Sequence, residues 1–515
     1  MTTFPDIVAD ARASERALLE QAFSRAAGGP LVTGNAVRLL RNAAENYPAW
    51  LDAIAAATRT IDFETYIIWD DAAGATFADA LSARAREGVR VRVLYDWLGG
   101  IGKTPQRFWD SLIRAGVEVR AFNPFRVASP LGWLHRDHRK SLVIDGIVGF
   151  VSGLCVGQQW VGYPARGVSP WRDTGLEVRG PAVDDIAMAF ARAWTVAGGE
   201  NSPATDIETG KAKPAGNVAV RVIASEPWSA RMIRLAHLMA SAARERWWLT
   251  DAYFAGTPEY VQALRAAARD DVDVRLLVPG TTDIPVLQAF TRAGYRPLLE
   301  AGVRVFEWRG SMLHAKTAVG DDEWARVGSS NLNIASWIGN WELDVAVNDK
   351  GFAERMAAMF LEDLEGSTEI VLSEARVTDR RRVPRMESTP RRRVGSAGRI
   401  AAGAVRIGNT ASAMLTEHRV LGATEARAAA ALGGLCVTIA GIMLLWPRLL
   451  AIPFGIIIAW IGVAMLAKAH RLRREREERG ERRTRVVEAD AGGNAHRLAA
   501  SPNVRAASSP NDPGR

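Results

Sequence analysis

The sequence predicts an α/β protein built as two pseudo-symmetric αβα sandwich lobes, followed by a C-terminal transmembrane helical hairpin. Three observations lead there. The order strand, helix, strand, helix, strand occurs twice within the first 366 residues. Each occurrence runs into the pattern H-x-K-x4-D, first as His138, Lys140 and Asp145 and then, 176 residues later, as His314, Lys316 and Asp321. Finally, Ala428–Trp446 and Leu449–Ala467 are each 19 residues long without a charge, and at about 1.5 Å per residue each spans roughly 28 Å, close to a bilayer's hydrocarbon thickness.

In chain order, residues 1–34 carry acids and arginines and lack the apolar run of a signal peptide, so they read as a helical segment. Residues 35–200 form the first lobe, with strands at 60–66, 89–94 and 116–119 before His138. A Gly-, Pro-, Ser- and Thr-rich stretch gives a linker at 201–216. The second lobe, 217–366, repeats the order with strands at 247–253, 272–277 and 302–305 before His314. Residues 367–427, with Arg380–Arg382 and Arg391–Arg393, form a basic membrane-proximal linker. The hairpin occupies 428–467, and 468–515 is a basic, disordered tail. Arginines and lysine flank the hairpin on both outer sides against Arg448 alone in its turn, which places both ends and the lobes on the cytoplasmic side of a membrane.

The net charge of +8 divides unevenly. Residues 366–515 hold 25 Lys and Arg against 13 Asp and Glu, a balance of +12, and the remaining 40 against 44 leave residues 1–365 at −4. A nucleic-acid enzyme carries positive charge on the domain that grips the polymer, so no nucleic-acid partner is expected. The two cysteines, Cys155 and Cys436, give neither a disulfide framework nor a metal site. No metal and no cofactor is expected: His135, Asp137 and His138 have no second ligand cluster at suitable spacing.

On a strand, His and Lys two apart project from one face, so imidazole and ammonium converge on one pocket. Small-residue turns follow each motif, Ser152–Cys155 and Gly328–Asn331, where Ser152, Ser329 and Asn331 are candidate donors to phosphate oxygens. Asp173 and Glu342 lie 35 and 28 residues after their histidines and are the candidate carboxylates that orient the imidazoles. With Asp145 and Asp321 they complete the candidate catalytic set.

These motifs, with Glu64-Thr65-Tyr66, Trp171-Arg172-Asp173-Thr174, Tyr253-Phe254 and Gly328–Leu332, make residues 35–366 resemble the phospholipase D superfamily, and within it the bacterial cardiolipin synthases. The resemblance implies a metal-free reaction through a phosphohistidine, with His138 as nucleophile, His314 as acid and base, and Lys140 and Lys316 on the phosphate oxygens. It implies a membrane-anchored phosphatidyltransferase whose partners are phospholipids: phosphatidylglycerol, and phosphatidylethanolamine or cardiolipin besides. Hydrolysis to phosphatidic acid is the alternative, ahead of a nuclease or a catalytically impaired lipid-binding scaffold. One chain holds both motifs, so no obligate oligomer is needed to complete the site. The first half departs from the family pattern at Ser152, Gly153 and Cys155, where Cys replaces an Asn and removes an amide donor.

Overall fold

The structure is a computed structural model that describes residues 17–124, 135–199, 212–284, 288, 291–372, 459, 460 and 463. Residues 1–124 and 133–431 form one compact unit, and both repeats lie in it. Beyond residue 372 only the helical residues 459, 460 and 463 are described. Apart from those three residues the expected hairpin at 428–467 lies outside the described residues, as do the tail at 468–515 and the basic linker beyond residue 372. Among the described residues, no helix is long and apolar enough to cross a membrane.

Fifteen strands form one mixed sheet. The first half contributes β1 (Val32–Arg41), β2 (Thr60–Thr65), β3 (Arg90–Asp96), β4 (Glu118–Phe122), β5 (Ser141–Ile144), β6 (Val148–Ser152) and β7 (Thr174–Arg179). The second contributes β8 (Val218–Ser225), β9 (Arg246–Thr250), β10 (Asp273–Pro279), β11 (Arg304–Trp308), β12 (Thr317–Gly320), β13 (Trp324–Gly328), β14 (Glu342–Asn348) and β15 (Ser367–Ile370). The order β1-β7-β6-β5-β2-β3-β4 is repeated as β8-β14-β13-β12-β9-β10-β11, with β15 added beyond β11 and past the expected boundary at 366. In each half the parallel strands are the apolar ones predicted from the repeat, and parallel strands need both faces covered.

The halves join through β1 and β8, antiparallel and paired at Val32↔Val220 and Asn35↔Val218 with an irregular register between them. They also share a core, in which Val151 and Leu176 of the first meet Val327 and Leu343 of the second, completed by the helices Ala182–Val196 and Lys350–Glu365. Each half has a further core of its own. In the first, Trp50, Phe63 and Phe77 pack edge to face or stacked beneath the helices Asn42–Ala55 and Ala72–Arg86. Burying each such side chain contributes about 1.5–3 kcal/mol. Helix starts follow local chemistry: Asp71 accepts from Gly74 N at 3.0 Å and Asp349 from Phe352 N at 2.7 Å.

A buried ion pair fastens the second half to the segment before β7. The Arg172 guanidinium donates in a fork to Asp363, Nη2 to Oδ2 at 2.8 Å and Nε to Oδ1 at 2.9 Å, and both side chains are almost wholly buried. Removing one partner strands the other charge, so Asp363→Ala is expected to cost about 3–5 kcal/mol in a urea titration. A cost below about 1 kcal/mol, the worth of an exposed pair, would show that this pair does not hold the halves together.

Candidate active site

The two H-x-K segments sit at the same edge of the sheet, entering β5 and β12, and each is held by backbone from the opposite half. His138 N donates to Trp341 O at 2.9 Å and Trp341 N to Arg136 O at 2.8 Å. In the mirrored position His314 N donates to Arg172 O at 2.7 Å and Arg172 N to Met312 O at 2.9 Å. Trp341 and Arg172 immediately precede Glu342 and Asp173, so this pairing delivers each carboxylate to the other half's histidine. His138 Nδ1 lies 3.0 Å from Glu342 Oε2, and His314 Nδ1 lies 2.7 Å from Asp173 Oδ2. The sequence placed both carboxylates after the histidines of their own halves; the structure exchanges them.

Each carboxylate fixes its imidazole with Nδ1–H donating, which leaves Nε2 with its lone pair. Burial lowers the pKa of both histidines. For His138 it is opposed by Glu342 and reinforced by Lys140 and Lys316. His314 is driven to about 4 by burial and Lys316, against the pull of Asp173. Lysines from both halves act on both imidazoles, as one shared cleft requires. Burial pushes Glu342 and Asp173 upward, but His138 and His314 respectively, with the lysines and hydrogen bonds, hold both carboxyls below their ordinary values. Both imidazoles are thus neutral and both carboxyls ionised at pH 7.

Lys140 and Lys316 donate to the backbone carbonyls of His138 and His314. Their ammonium groups lie over the rings of Tyr66 at 5.4 Å and Tyr253 at 5.7 Å. The same tyrosines meet the histidines edge on, Tyr66 at 5.2 Å from His138 and Tyr253 at 5.9 Å from His314. Burial lowers Lys316 to about 8. Above that pH the free enzyme loses a cation from the cleft, so kcat/KM toward an anionic phosphodiester is expected to fall. Lys316→Arg, which stays charged, should move that alkaline limb upward; an unmoved limb would assign it to another group.

Several candidate residues stand elsewhere. Asp145 and Asp321 touch neither histidine nor lysine, which corrects their place in the catalytic set. The strands β5 and β12 carry them to the opposite edge, where both adopt left-handed turns with φ of 54° and 47°. Asp145 accepts from the backbone N–H groups of Thr58, Arg59 and Thr60 at 2.7–2.8 Å, and Asp321 from those of Arg244, Glu245 and Arg246 at 2.8–3.1 Å. They brace the entries to β2 and β9. Ser329 Oγ donates to Glu342 Oε2 at 2.5 Å and accepts from Leu343 N at 2.9 Å, so it orients the carboxylate instead of facing the cleft. Ser152 Oγ is turned to Leu154 O at 3.3 Å. Asn331 is buried, with its Oδ1 unmatched by any protein donor. Cys155, its counterpart, is buried too, and its carbonyl accepts from Tyr47 Oη at 2.7 Å.

Gly153 occupies the place that corresponds to Ser329, 15 residues after its histidine. A Cβ there would come within 2.2 Å of Asp173 Oδ1, so no serine fits. The donor comes from Trp160, whose Nε1 lies 3.1 Å from Asp173 Oδ2 and whose ring meets His314 edge on at 5.6 Å. Trp160→Phe keeps the shape and removes the N–H; a lost hydrogen bond to a charged group is worth about 1.5–3 kcal/mol, so kcat should fall roughly 10- to 100-fold with KM little changed. A fall in KM-type binding alone would give the ring a different role. Sequence reasoning also passed over Arg139, fully buried, whose Nε donates to Glu342 O at 3.2 Å. Its only signal was its position between His138 and Lys140.

Comparison with known proteins shows the family. The family model described as "Cardiolipin synthase, PLD-like domain" fits residues 50–158 and 235–364, one stretch in each half. The cardiolipin synthase of Alkalihalophilus pseudofirmus is 33% identical over 349 residues, 67% of this chain and 69% of its own length. Cardiolipin synthase A of Pseudomonas fluorescens is 35% identical over 363 residues, 68% of this chain and 73% of its own. Among solved structures, the phosphatidylserine synthase of Haemophilus influenzae shares the fold with a TM-score of 0.53 at 15% identity, over 68% of this chain and 92% of that one. With two H-x-K segments, their exchanged carboxylates and relatives of this extent, the chain belongs to the phospholipase D superfamily as an enzyme of the cardiolipin synthase-like group.

Proposed function

We propose that the protein is a membrane-anchored phosphatidyltransferase that moves a phosphatidyl group from one phospholipid to the hydroxyl of phosphatidylglycerol. The observation that carries the reading is the reciprocal pairing of His138 with Glu342 and His314 with Asp173, which leaves two Nε2 atoms and two ammonium groups for one phosphodiester. The names of the relatives supply the substrate class.

In the first half-reaction His138 Nε2 attacks phosphorus, the P–O bond to the leaving alcohol breaks, and His314 gives that alcohol its proton. A bound phosphodiester anion raises the pKa of His314, which is how a neutral imidazole in the empty site becomes an acid. In the second, His314 takes the proton of the acceptor hydroxyl, whose oxygen attacks the phosphohistidine and frees His138. Lys140 and Lys316 hold the nonbridging oxygens, where charge gathers, with Asn331 as a further donor to them. None of these steps calls for a metal or cofactor.

The lobes at 35–200 and 217–366 carry the chemistry, and the hairpin at 428–467 holds them against the cytoplasmic face of the membrane, with the basic linker along anionic headgroups. Water as acceptor would give phosphatidic acid by the same machinery. Mass spectrometry after incubation with phosphatidylglycerol separates the readings: cardiolipin supports transfer, phosphatidic acid alone supports hydrolysis, and neither product overturns both.

A further inference from the structure

Both H-x-K segments open on one edge of the sheet, and the loops leaving that edge differ in character from the turns at the other. Loop 97–105 packs beside Tyr66, with Thr104 accepted by Ile68 O, and exposes Leu98 and Ile101 at 37% and 52%. Loop 153–173, which brings Trp171 to 5.6 Å from His314, exposes Val161 and Val168 at 39% and 46%. In the second half Ile334 is 54% exposed and Trp228 is 74% exposed. Trp228 N bonds to Ile338 O, and its ring lies 6.2 Å from His135, just before the first motif. At the opposite edge the comparably exposed large apolar side chains among the described residues are Ile147 in a turn, and Val371 and Leu372 just past the end of β15.

Single exposed apolar residues are ordinary on any surface. Their concentration around one opening is not, and the charges sort the same way. Loop 97–105 contains Lys103 and no acid, loop 157–171 contains Arg166 and no acid, and 331–341 is uncharged. Of the acids on this edge, Asp70 pairs with Arg107, Glu226 pairs with Arg192 and Asp283 accepts from Tyr253, while Glu259 is exposed in the first turn of the helix Pro258–Arg269. The opposite edge holds Glu245, Asp270, Asp271, Asp321, Asp322 and Glu323 in its turns against Arg244, Arg246 and Arg269, with Asp322 paired to Arg246 and Asp321 accepting from backbone N–H groups. An apolar rim with cations meets an anionic phospholipid surface favourably, whereas the carboxylate-rich edge does not.

We infer that these loops form a rim that inserts into the surface of an anionic bilayer, seating the cleft over headgroups so that a phosphodiester enters while its acyl chains stay in the membrane. This rests on the phosphatidyltransferase reading above and adds the surface through which substrate arrives. The rim draws on both halves, so both must face the membrane together, independently of any hairpin.

The test uses the full chain and two forms of one substrate: vesicles of long-chain phosphatidylglycerol, and dihexanoyl-phosphatidylglycerol dissolved as monomers with the protein in inert detergent. Carboxylates in an inserted rim oppose burial, so the double variant Ile101→Glu, Ile334→Glu should lose at least about tenfold in vesicle turnover. Its turnover of the monomeric lipid should stay within about twofold of the parent, which also shows that it folds, and Ile147→Glu on the far edge should match the parent on both. Vesicle turnover retained by the double variant, equal losses on both substrates, or a vesicle loss in Ile147→Glu overturns the rim. If the parent chain turns over neither substrate, the phosphatidyltransferase reading itself fails and the rim with it.

Discussion

Replacing His138 or His314 by alanine is expected to lower phosphatidyl transfer by at least about 10⁴-fold, because each imidazole performs a step that no neighbouring group can take over. The two variants should fail differently. His138→Ala loses the attacking nitrogen, so no covalent phosphate should be trapped from labelled phospholipid. His314→Ala keeps the nucleophile and loses the proton donor, so label should accumulate slowly and then persist, since the acceptor hydroxyl has no base. Acid-labile, base-stable label measured on both variants checks the assignment; label on His138→Ala and none on His314→Ala would reverse the roles.

The second large effect lies with the carboxylates. Asp173→Asn and Glu342→Gln preserve shape, but an amide can present its NH2 to Nδ1 and so favour the tautomer with the proton on Nε2. That removes the lone pair from the reacting nitrogen, and losses of about 10²–10⁴-fold in kcat are expected, as for an orienting carboxylate in other histidine-dependent sites. The exchange between halves gives a sharper readout. Imidazole nitrogen NMR should show Asp173→Asn disturbing His314 while sparing His138, and Glu342→Gln doing the reverse. The opposite pattern would mean that the carboxylates serve the histidines of their own halves.

Much of this was legible in the chain because duplication writes itself into spacing. The two H-x-K-x4-D motifs and the repeated strand order follow from period-2 apolar patterns that one strand sets by itself. The exchange of Asp173 and Glu342 was not legible, since it depends on Trp341 and Arg172 pairing with backbone in the opposite half, and no local pattern records which half a strand end will meet. The same limit explains Trp160. Its indole replaces a serine hydroxyl through a contact that Gly153 leaves room for, and a Trp 13 residues before Asp173 carries no local sign of it. Asp145 and Asp321 misled for a different reason. Their fixed spacing reflects strand length, which takes them to the far edge, and a left-handed turn that aspartate tolerates while its oxygens collect three backbone N–H groups. Ser329 was found as a donor, but its acceptor is Glu342 and not a phosphate.

The account stands on one phosphorus atom shared by both halves. A crystal structure with vanadate, a mimic of five-coordinate phosphorus, tests it most directly. The expected result is a single vanadium bonded to Nε2 of His138, with Nε2 of His314 within hydrogen-bond distance of the opposite apical oxygen and Lys140 and Lys316 on the equatorial oxygens. Vanadate bound to the residues of one half alone, with the other histidine out of reach, would contradict it.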